Sequence, residues 1–131
     1  KEVAAREFKR VLISGGKLVI TDIILRGQLH EELRTGVTFA FCIAGARSLE
    51  EYIRLLQEVG FTALYTEDHS LELKKMAYDI ICRYESLEAL SLAVSDKLGS
   101  NSRGEMVSPE LWQRLFREGK PGYALIAATK P

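Results

Sequence analysis

The chain opens with apolar residues at helical spacing and then changes to an almost unbroken apolar run. The helical set consists of Ala4, Phe8, Val11 and Leu12. Because charged residues fill the positions between them, this pattern predicts an amphipathic helix with one side against a core. Residues 18–25 are mostly apolar or β-branched, which favours a strand covered on both faces. Gly15 and Gly16 lie between these segments and are expected to end the helix.

A capping box predicts a second helix. Ser48 and Glu51 have the spacing at which each side chain takes up the other residue's backbone N–H group. An apolar stripe at helical spacing follows, and Gly60 is expected to end the helix in a left-handed conformation. Residues 61–66 come next and have the composition of a strand, as do residues 122–131 at the end of the chain.

Residues 71–118 separate the last two predicted strands and are mostly helical in pattern. Apolar residues at helical spacing predict a long helix over 71–98, either continuous or broken near Ser86. The Gly, Ser and Asn content of residues 99–104 is typical of a flexible connector and predicts disorder there. A serine followed by a proline opens a further helix at residue 109.

Three segments of the chain resemble class I S-adenosylmethionine-dependent methyltransferases. Residues 10–18 read Arg-Val-Leu-Ile-Ser-Gly-Gly-Lys-Leu and resemble the R-V-L-K-P-G-G-x-L crossover into the fifth strand of that family. The helix, Gly-Phe pair and strand over 49–66 resemble the entry to its sixth strand. Residues 122–131 resemble its seventh strand, which runs antiparallel between the fifth and the sixth.

The resemblance implies an α/β fold in a single domain over residues 1–131. We expect a partial Rossmann-like methyltransferase sheet of three strands, mixed in direction because the last strand is antiparallel. Helices accompany the sheet, and residues 71–118 form a helical insertion before the last strand.

The resemblance also implies the C-terminal half of such an enzyme. The family holds S-adenosylmethionine with a glycine-rich loop after its first strand and an acidic residue after its second, and this sequence contains neither. We therefore expect a parent enzyme that methylates a small acceptor, whereas this chain alone binds no cofactor and is inactive. No catalytic residue can be carried over. The alternative is a non-catalytic interaction module derived from a methyltransferase.

A short segment after the first strand suggests candidate site residues. Residues 41–46, with 49–52 after them, resemble the C-x-x-G-A-L segment of arsenite methyltransferases, in which this cysteine is one of several thiolates that hold trivalent arsenic. The implied substrate pocket contains Phe41, Cys42, Ala44 and Gly45. Cys42 is either such a ligand or a small buried hydrophobic residue. Asp22 joins the pocket because α/β sheets bind ligands at the carboxyl ends of their strands. The acceptor stays open between arsenite, a quinone and another carbon acceptor.

Three other residues with reactive side chains were weighed as candidates. Cys82 is expected in the core beside Ile81, on the apolar side of the long helix. His69 is either an exposed loop residue or a proton shuttle beside acidic neighbours. His30 is expected at the start of a helix. No metal site is expected, because the two cysteines lack the paired spacing of a zinc site.

Composition narrows the classes of partner. Lys and Arg number 18, as do Asp and Glu, so neither a nucleic acid nor an anionic membrane surface is expected as a partner. The longest nearly uncharged stretch is about half of the roughly 20 residues that a membrane helix needs. Charged residues in the first predicted helix argue against a signal peptide, and two cysteines suggest a reducing cytoplasm. In isolation, the strand over 18–25 is expected to form a homo-oligomer through its exposed edge.

Overall fold

The computed structural model describes residues 1–35, 38, 41–98 and 108–131. The predicted connector over 99–104 lies outside these residues. The elements are α1 (Glu2–Val11), β1 (Lys17–Leu25), a 3₁₀ helix (Glu31–Leu33), α2 (Leu49–Val59), β2 (Thr62–Asp68), α3 (Ser70–Arg83), α4 (Leu87–Leu98), α5 (Pro109–Gly119) and β3 (Pro121–Thr129).

The three strands form one sheet in the order β1, β3, β2. Strand β3 lies in the middle and is antiparallel to both neighbours, so β1 and β2 run in the same direction without touching. Ala124 of β3 is opposite Asp22 on one side and Asp68 on the other. The predicted α/β fold with an antiparallel last strand between the other two is confirmed.

Helices α1 and α2 cover one face of the sheet. The core between them contains Phe61 and Ile126, which are almost completely buried, and Ala5 of α1. The expected apolar stripe of α1 is only partly correct, because Phe8 is 40% and Val11 64% exposed.

Helix α5 covers part of the opposite face. Leu115 of α5 is fully buried in a second core with Trp112 and Leu25. This helix packs only against the carboxyl end of β1, and Val19 near the other end is 59% exposed. The prediction that the strand over 18–25 is covered on both faces is therefore wrong for its first half.

Local signals set most helix ends. The capping box of α2 is present, with the Glu51 N–H donating to Ser48 Oγ and the Ser48 N–H to the Glu51 carboxylate. Gly60 ends the helix at φ +93°. Helix α1 ends at Val11, before the glycine pair rather than at it, and Gly15 forms the turn into β1 at φ +77°.

The long helix over 71–98 is broken, as one of the two alternatives predicted. Helix α3 ends at Arg83, and Glu85 adopts a positive φ of 65°. Ser86 then accepts a hydrogen bond from the Ala89 N–H at 3.1 Å, which starts a new helix. No helix among the described residues is long and apolar enough to cross a membrane.

Candidate functional site

The loop after β1 is organised around one buried threonine. Thr38 is fully buried, and its hydroxyl donates to the Leu33 carbonyl oxygen at 2.7 Å. Its own carbonyl oxygen accepts hydrogen bonds from the N–H groups of Ile43 and Ala44, at 2.9 and 3.0 Å. These bonds hold the described residues 41–44 in a tight turn at the carboxyl end of β1.

Phe41 extends from this turn toward the helical insertion. Its ring meets the Trp112 ring edge to face, with the ring centroids 5.0 Å apart. Both rings border an apolar cavity of about 140 Å³ between the turn, β1 and helices α3 and α5. The cavity wall includes Ile23, Phe41, Met76, Ile80, Trp112 and Phe116. Part of the apolar stripe predicted for the insertion therefore lines a cavity.

Asp22 lies in a hydrogen-bonded cluster on the other face of the sheet. Its carboxylate accepts from the Tyr52 hydroxyl at 2.5 Å and from Lys1 Nζ at 2.6 Å. Lys1 Nζ also contacts the Tyr52 hydroxyl and lies 4.8 Å from the centre of its ring. The cluster joins α1, β1 and α2.

The cluster shifts the titration of both acidic groups. Burial opposes ionisation of Asp22, but the hydrogen bonds from Lys1 and Tyr52 outweigh it and lower the pKa of Asp22 below its usual 3.8. Burial, the hydrogen bond to Asp22 and, more weakly, the charge of a Cys42 thiolate raise the pKa of Tyr52. Asp22 is therefore an anion and Tyr52 a neutral phenol at neutral pH.

Cys42 is exposed on the turn and adopts a positive φ of 61°. The alternative that it is a buried hydrophobic residue is wrong, because the turn directs the residue away from both cores.

The remaining two predicted pocket residues are separated from both groups. Ala44 is 1% exposed, and its carbonyl oxygen accepts a hydrogen bond from the Arg34 guanidinium. Gly45 is exposed, with no atom within 4 Å of the position that a Cβ would occupy. The structure thus divides the predicted pocket, with Phe41 at the cavity and Asp22 beside Tyr52 on the other face of the sheet.

Two histidines and the second cysteine lie elsewhere. His30 caps the 3₁₀ helix, as expected. His69 precedes α3, with Nε2 2.9 Å from the Glu67 carboxylate. Cys82 is exposed, so its expected place in the core is wrong; it shares the outward side of α3 with Tyr78, one turn earlier. No group of three metal-binding side chains occurs among the residues that the structure describes.

A separate polar network fixes the insertion to the sheet. Ser70, the first residue of α3, is 5% exposed and donates from both its N–H and its hydroxyl to Asp68, at 2.9 and 2.5 Å. Its Oγ accepts from the Tyr123 N–H at 3.1 Å. Arg26 donates to the Asp68 carboxylate at 2.5 Å. The hydrogen bonds from Ser70 and the charge of Arg26 lower the pKa of Asp68.

Sequence reasoning missed two residues of these clusters as site residues. The sequence pattern places Trp112 on the apolar face of its helix, and Tyr52 in the stripe of α2 and at the end of the segment over 49–52, but it names neither as a site residue. Each has a large aromatic ring that can pack in a core and one polar group that can form a hydrogen bond in a site. This combination of ring and polar group was the signal that the sequence offered.

Comparison with known proteins identifies relatives along the whole chain. Methyltransferase GfsG from Streptomyces halstedii is 31% identical over 135 aligned residues, which cover 100% of this chain and 45% of that protein. Human arsenite methyltransferase is 31% identical over 114 residues, which cover 82% of this chain and 30% of that enzyme. The chain is a relative of S-adenosylmethionine-dependent methyltransferases. It spans less than half the length of these curated relatives, and no protein-family model matches it.

Solved structures agree with this methyltransferase fold. Haemonchus contortus phosphoethanolamine N-methyltransferase 2, in complex with S-adenosyl-L-methionine, matches with a TM-score of 0.64 at 22% identity, over 100% of this chain and 30% of that one. The cyclase SpnF matches with a TM-score of 0.63 at 26% identity, over 99% of this chain and 44% of that one. SpnF therefore shows that a protein with this methyltransferase fold can be named for a reaction other than methyl transfer.

Proposed function

We propose that the chain is the acceptor-binding part of an S-adenosylmethionine-dependent methyltransferase that acts on a small molecule. The observation that carries this proposal is the whole-length similarity to a methyltransferase of which the chain covers 45%. The three strands, in the order β1, β3, β2, correspond to the fifth, seventh and sixth strands of the family. The glycine-rich loop that binds the cofactor follows the family's first strand and belongs to the other part of the enzyme.

The apolar cavity beside Phe41 supports a carbon acceptor rather than arsenite. Its wall consists of aromatic and aliphatic side chains at the carboxyl end of β1, where α/β sheets bind ligands. A soft ion such as trivalent arsenic needs several thiolates, and Cys42 is not among the cavity's lining residues. We assign Phe41 to the acceptor pocket, with Cys42, Ala44 and Gly45 shaping the adjoining turn.

Asp22 carries a negative charge that its neighbours hold in place. Its lowered pKa keeps the carboxylate ionised at neutral pH, and the hydrogen bonds from Tyr52 and Lys1 fix its position. Because Asp22 faces α2 and the cavity lies on the other face of the sheet, we propose that Asp22 holds α1 and α2 on β1 rather than contacting the group in the cavity.

The experiment uses two samples. The chain of residues 1–131 is titrated with S-adenosylmethionine in a calorimeter, and we expect no micromolar binding. The whole protein is assayed for transfer of a labelled methyl group to small carbon acceptors and, with added thiol, to arsenite. Micromolar cofactor binding by the isolated chain would overturn the division of roles, and absence of any methyl transfer would overturn the function.

A second candidate is a non-catalytic interaction module. One observation favours it: among the described residues, β1 has a partner strand on one side only, and Val19 on it is 59% exposed. The change Phe41→Ala in the whole protein separates the candidates. An acceptor-binding part predicts a higher KM for the acceptor, whereas an interaction module predicts unchanged methyl-transfer kinetics.

The same strand supports a proposal about assembly. We propose that the isolated chain forms a homo-oligomer through the outer edge of β1, because an unpaired strand edge can add a strand from another copy. Both cysteines are free thiols, which supports a reducing, cytoplasmic setting.

A further inference from the structure

The apolar cavity between β1 and the helical insertion has a size that suits a small ring. Its volume is about 140 Å³, and an apolar cavity of about 150 Å³ in another protein takes up benzene. The side chains that line it are aliphatic or aromatic, and Trp112 is the one among them that carries an N–H donor.

This N–H group is buried without a partner. Trp112 is 6% exposed, and its Nε1 atom has no hydrogen-bond partner among the described residues. A buried donor that is left unpaired costs about 1–3 kcal/mol, and buried polar groups in folded proteins are paired in the great majority of cases. The residue thus offers a bound molecule an unused hydrogen bond.

Three large apolar residues around the cavity remain partly in contact with solvent. Phe41 is 38%, Phe116 44% and Met76 53% exposed. They come from the turn, from α5 and from α3, so the cavity opens where these three elements meet. Exposed apolar side chains grouped around a cavity are typical of a binding site.

We propose that this cavity takes up a ring-sized apolar group of the acceptor and that the Trp112 N–H donates a hydrogen bond to a carbonyl or ether oxygen on that group. The proposal deepens the function proposed above, since it names the chemical class of the acceptor. A polar acceptor without an apolar ring, or arsenite, does not meet these requirements.

Trp112 is the only tryptophan in the chain, so one indole N–H signal reports on the cavity. The ¹⁵N-labelled chain is titrated with cyclohexanone and, separately, with methylenecyclohexane, which has the same ring shape but no oxygen acceptor. We expect the indole proton signal to move downfield with cyclohexanone only. Because methylenecyclohexane is the more hydrophobic probe, the hydrogen bond is measured with Trp112→Phe, which should weaken cyclohexanone binding about fivefold, the ratio that one net hydrogen bond gives, and leave methylenecyclohexane binding unchanged.

Two variants of α3 test whether the probes bind in this cavity. Ala77→Leu fills the cavity, because Ala77 lines it, whereas Lys74→Leu adds the same side chain to the exposed side of the same helix. Binding of both probes is expected to fall at least tenfold in Ala77→Leu and to stay unchanged in Lys74→Leu. The variant Trp112→Phe is the companion test of the hydrogen bond, because it keeps an aromatic ring in the wall and removes the N–H donor.

The other outcomes of these experiments bear on separate parts of the proposal. An unmoved indole signal with cyclohexanone, or the same cyclohexanone affinity in a folded Trp112→Phe variant, would overturn the role of Trp112. Binding of neither probe, or undiminished binding in a folded Ala77→Leu variant, would overturn the cavity assignment. A downfield indole shift that occurs with cyclohexanone alone supports the assignment even if the whole protein transfers no methyl group, a result that would overturn only the proposed function.

Discussion

The Tyr52 hydroxyl donates a hydrogen bond to the Asp22 carboxylate across 2.5 Å, and this bond ties helix α2 to strand β1. Removing the hydroxyl with Tyr52→Phe leaves the carboxylate with Lys1 as its remaining side-chain donor. We expect the free energy of unfolding at neutral pH to fall by about 1–2 kcal/mol, because the acceptor is charged. Urea unfolding followed by circular dichroism measures this change.

The same pair of residues makes the stability of the folded chain depend on pH in the acid range. The pKa of Asp22 is lower in the folded chain than its usual 3.8, so the ionised carboxylate stabilises the folded state above about pH 4, and this contribution is lost as the pH falls through the folded pKa. Tyr52→Phe should make the loss between pH 5 and pH 2 smaller. Tyr65→Phe is the matched control, because the Tyr65 hydroxyl binds an exposed carboxylate, that of Glu67. An equal effect of the two variants would contradict the prediction.

Gly27 permits the close approach of α5 to the loop after β1. Its N–H donates to the Gly119 carbonyl oxygen at 3.0 Å, and a Cβ at this position would overlap the carbonyl oxygen of Glu118. We expect Gly27→Ala to destabilise the chain by about 2 kcal/mol or more, since a backbone atom has to move. Gly45→Ala is the control, because nothing lies within 4 Å of its Cβ position. The midpoint temperatures of thermal unfolding are compared for the two variants, and equal values would refute the predicted overlap with the Glu118 carbonyl oxygen.

Ser48 stabilises the start of α2 through the capping box. Its replacement by alanine leaves the Glu51 N–H without its side-chain acceptor, and we expect a loss of about 1 kcal/mol in the free energy of unfolding. Ser14→Ala in the exposed turn before β1 serves as a comparison and should change stability by less than about 0.5 kcal/mol. A Ser48→Ala chain as stable as the Ser14→Ala chain would mean that the cap contributes nothing.

The outer edge of β1 is expected to mediate self-association of the isolated chain. Val19→Lys places a charge on this strand, where Val19 is 59% exposed, and should shift the chain from dimer to monomer in analytical ultracentrifugation. Tyr65→Lys places the same charge on β2, the opposite edge of the sheet, where Tyr65 is 57% exposed, and should leave the dimer intact. A monomeric unaltered chain at high concentration would rule out this assembly.

Much of the fold could be predicted because its signals are local. The Ser48–Glu51 box, Gly60 and the Ser108 cap act on neighbouring backbone atoms, so each helix end follows from a few adjacent residues. The sheet order came from the resemblance of three segments to one family. The exposure of Val19 was not predictable, since a continuous apolar run has the same appearance whether or not another element covers it.

The candidate site was predicted less completely. The place of Asp22 near the carboxyl end of β1 and the resemblance of residues 41–46 to a substrate-side segment point to Asp22, Phe41 and Cys42, but together they predict one pocket. The structure separates them because Asp22 faces α2, whereas Phe41 packs on Trp112 across the sheet. Trp112 and Tyr52 are 71 and 30 residues away from Phe41 and Asp22 in sequence, so no local pattern joins them.

The sequence by itself determined the order of helices and strands, the two ends of α2, the start of α5 and which family the chain resembles, since caps, glycine turns and apolar periods depend on neighbouring residues. Only the tertiary structure decided which side chains meet. The Tyr52–Asp22 bond and the cavity beside Trp112 both depend on the packing of helices against opposite faces of the sheet. That packing is set by long-range burial, to which residues distant in the chain contribute together.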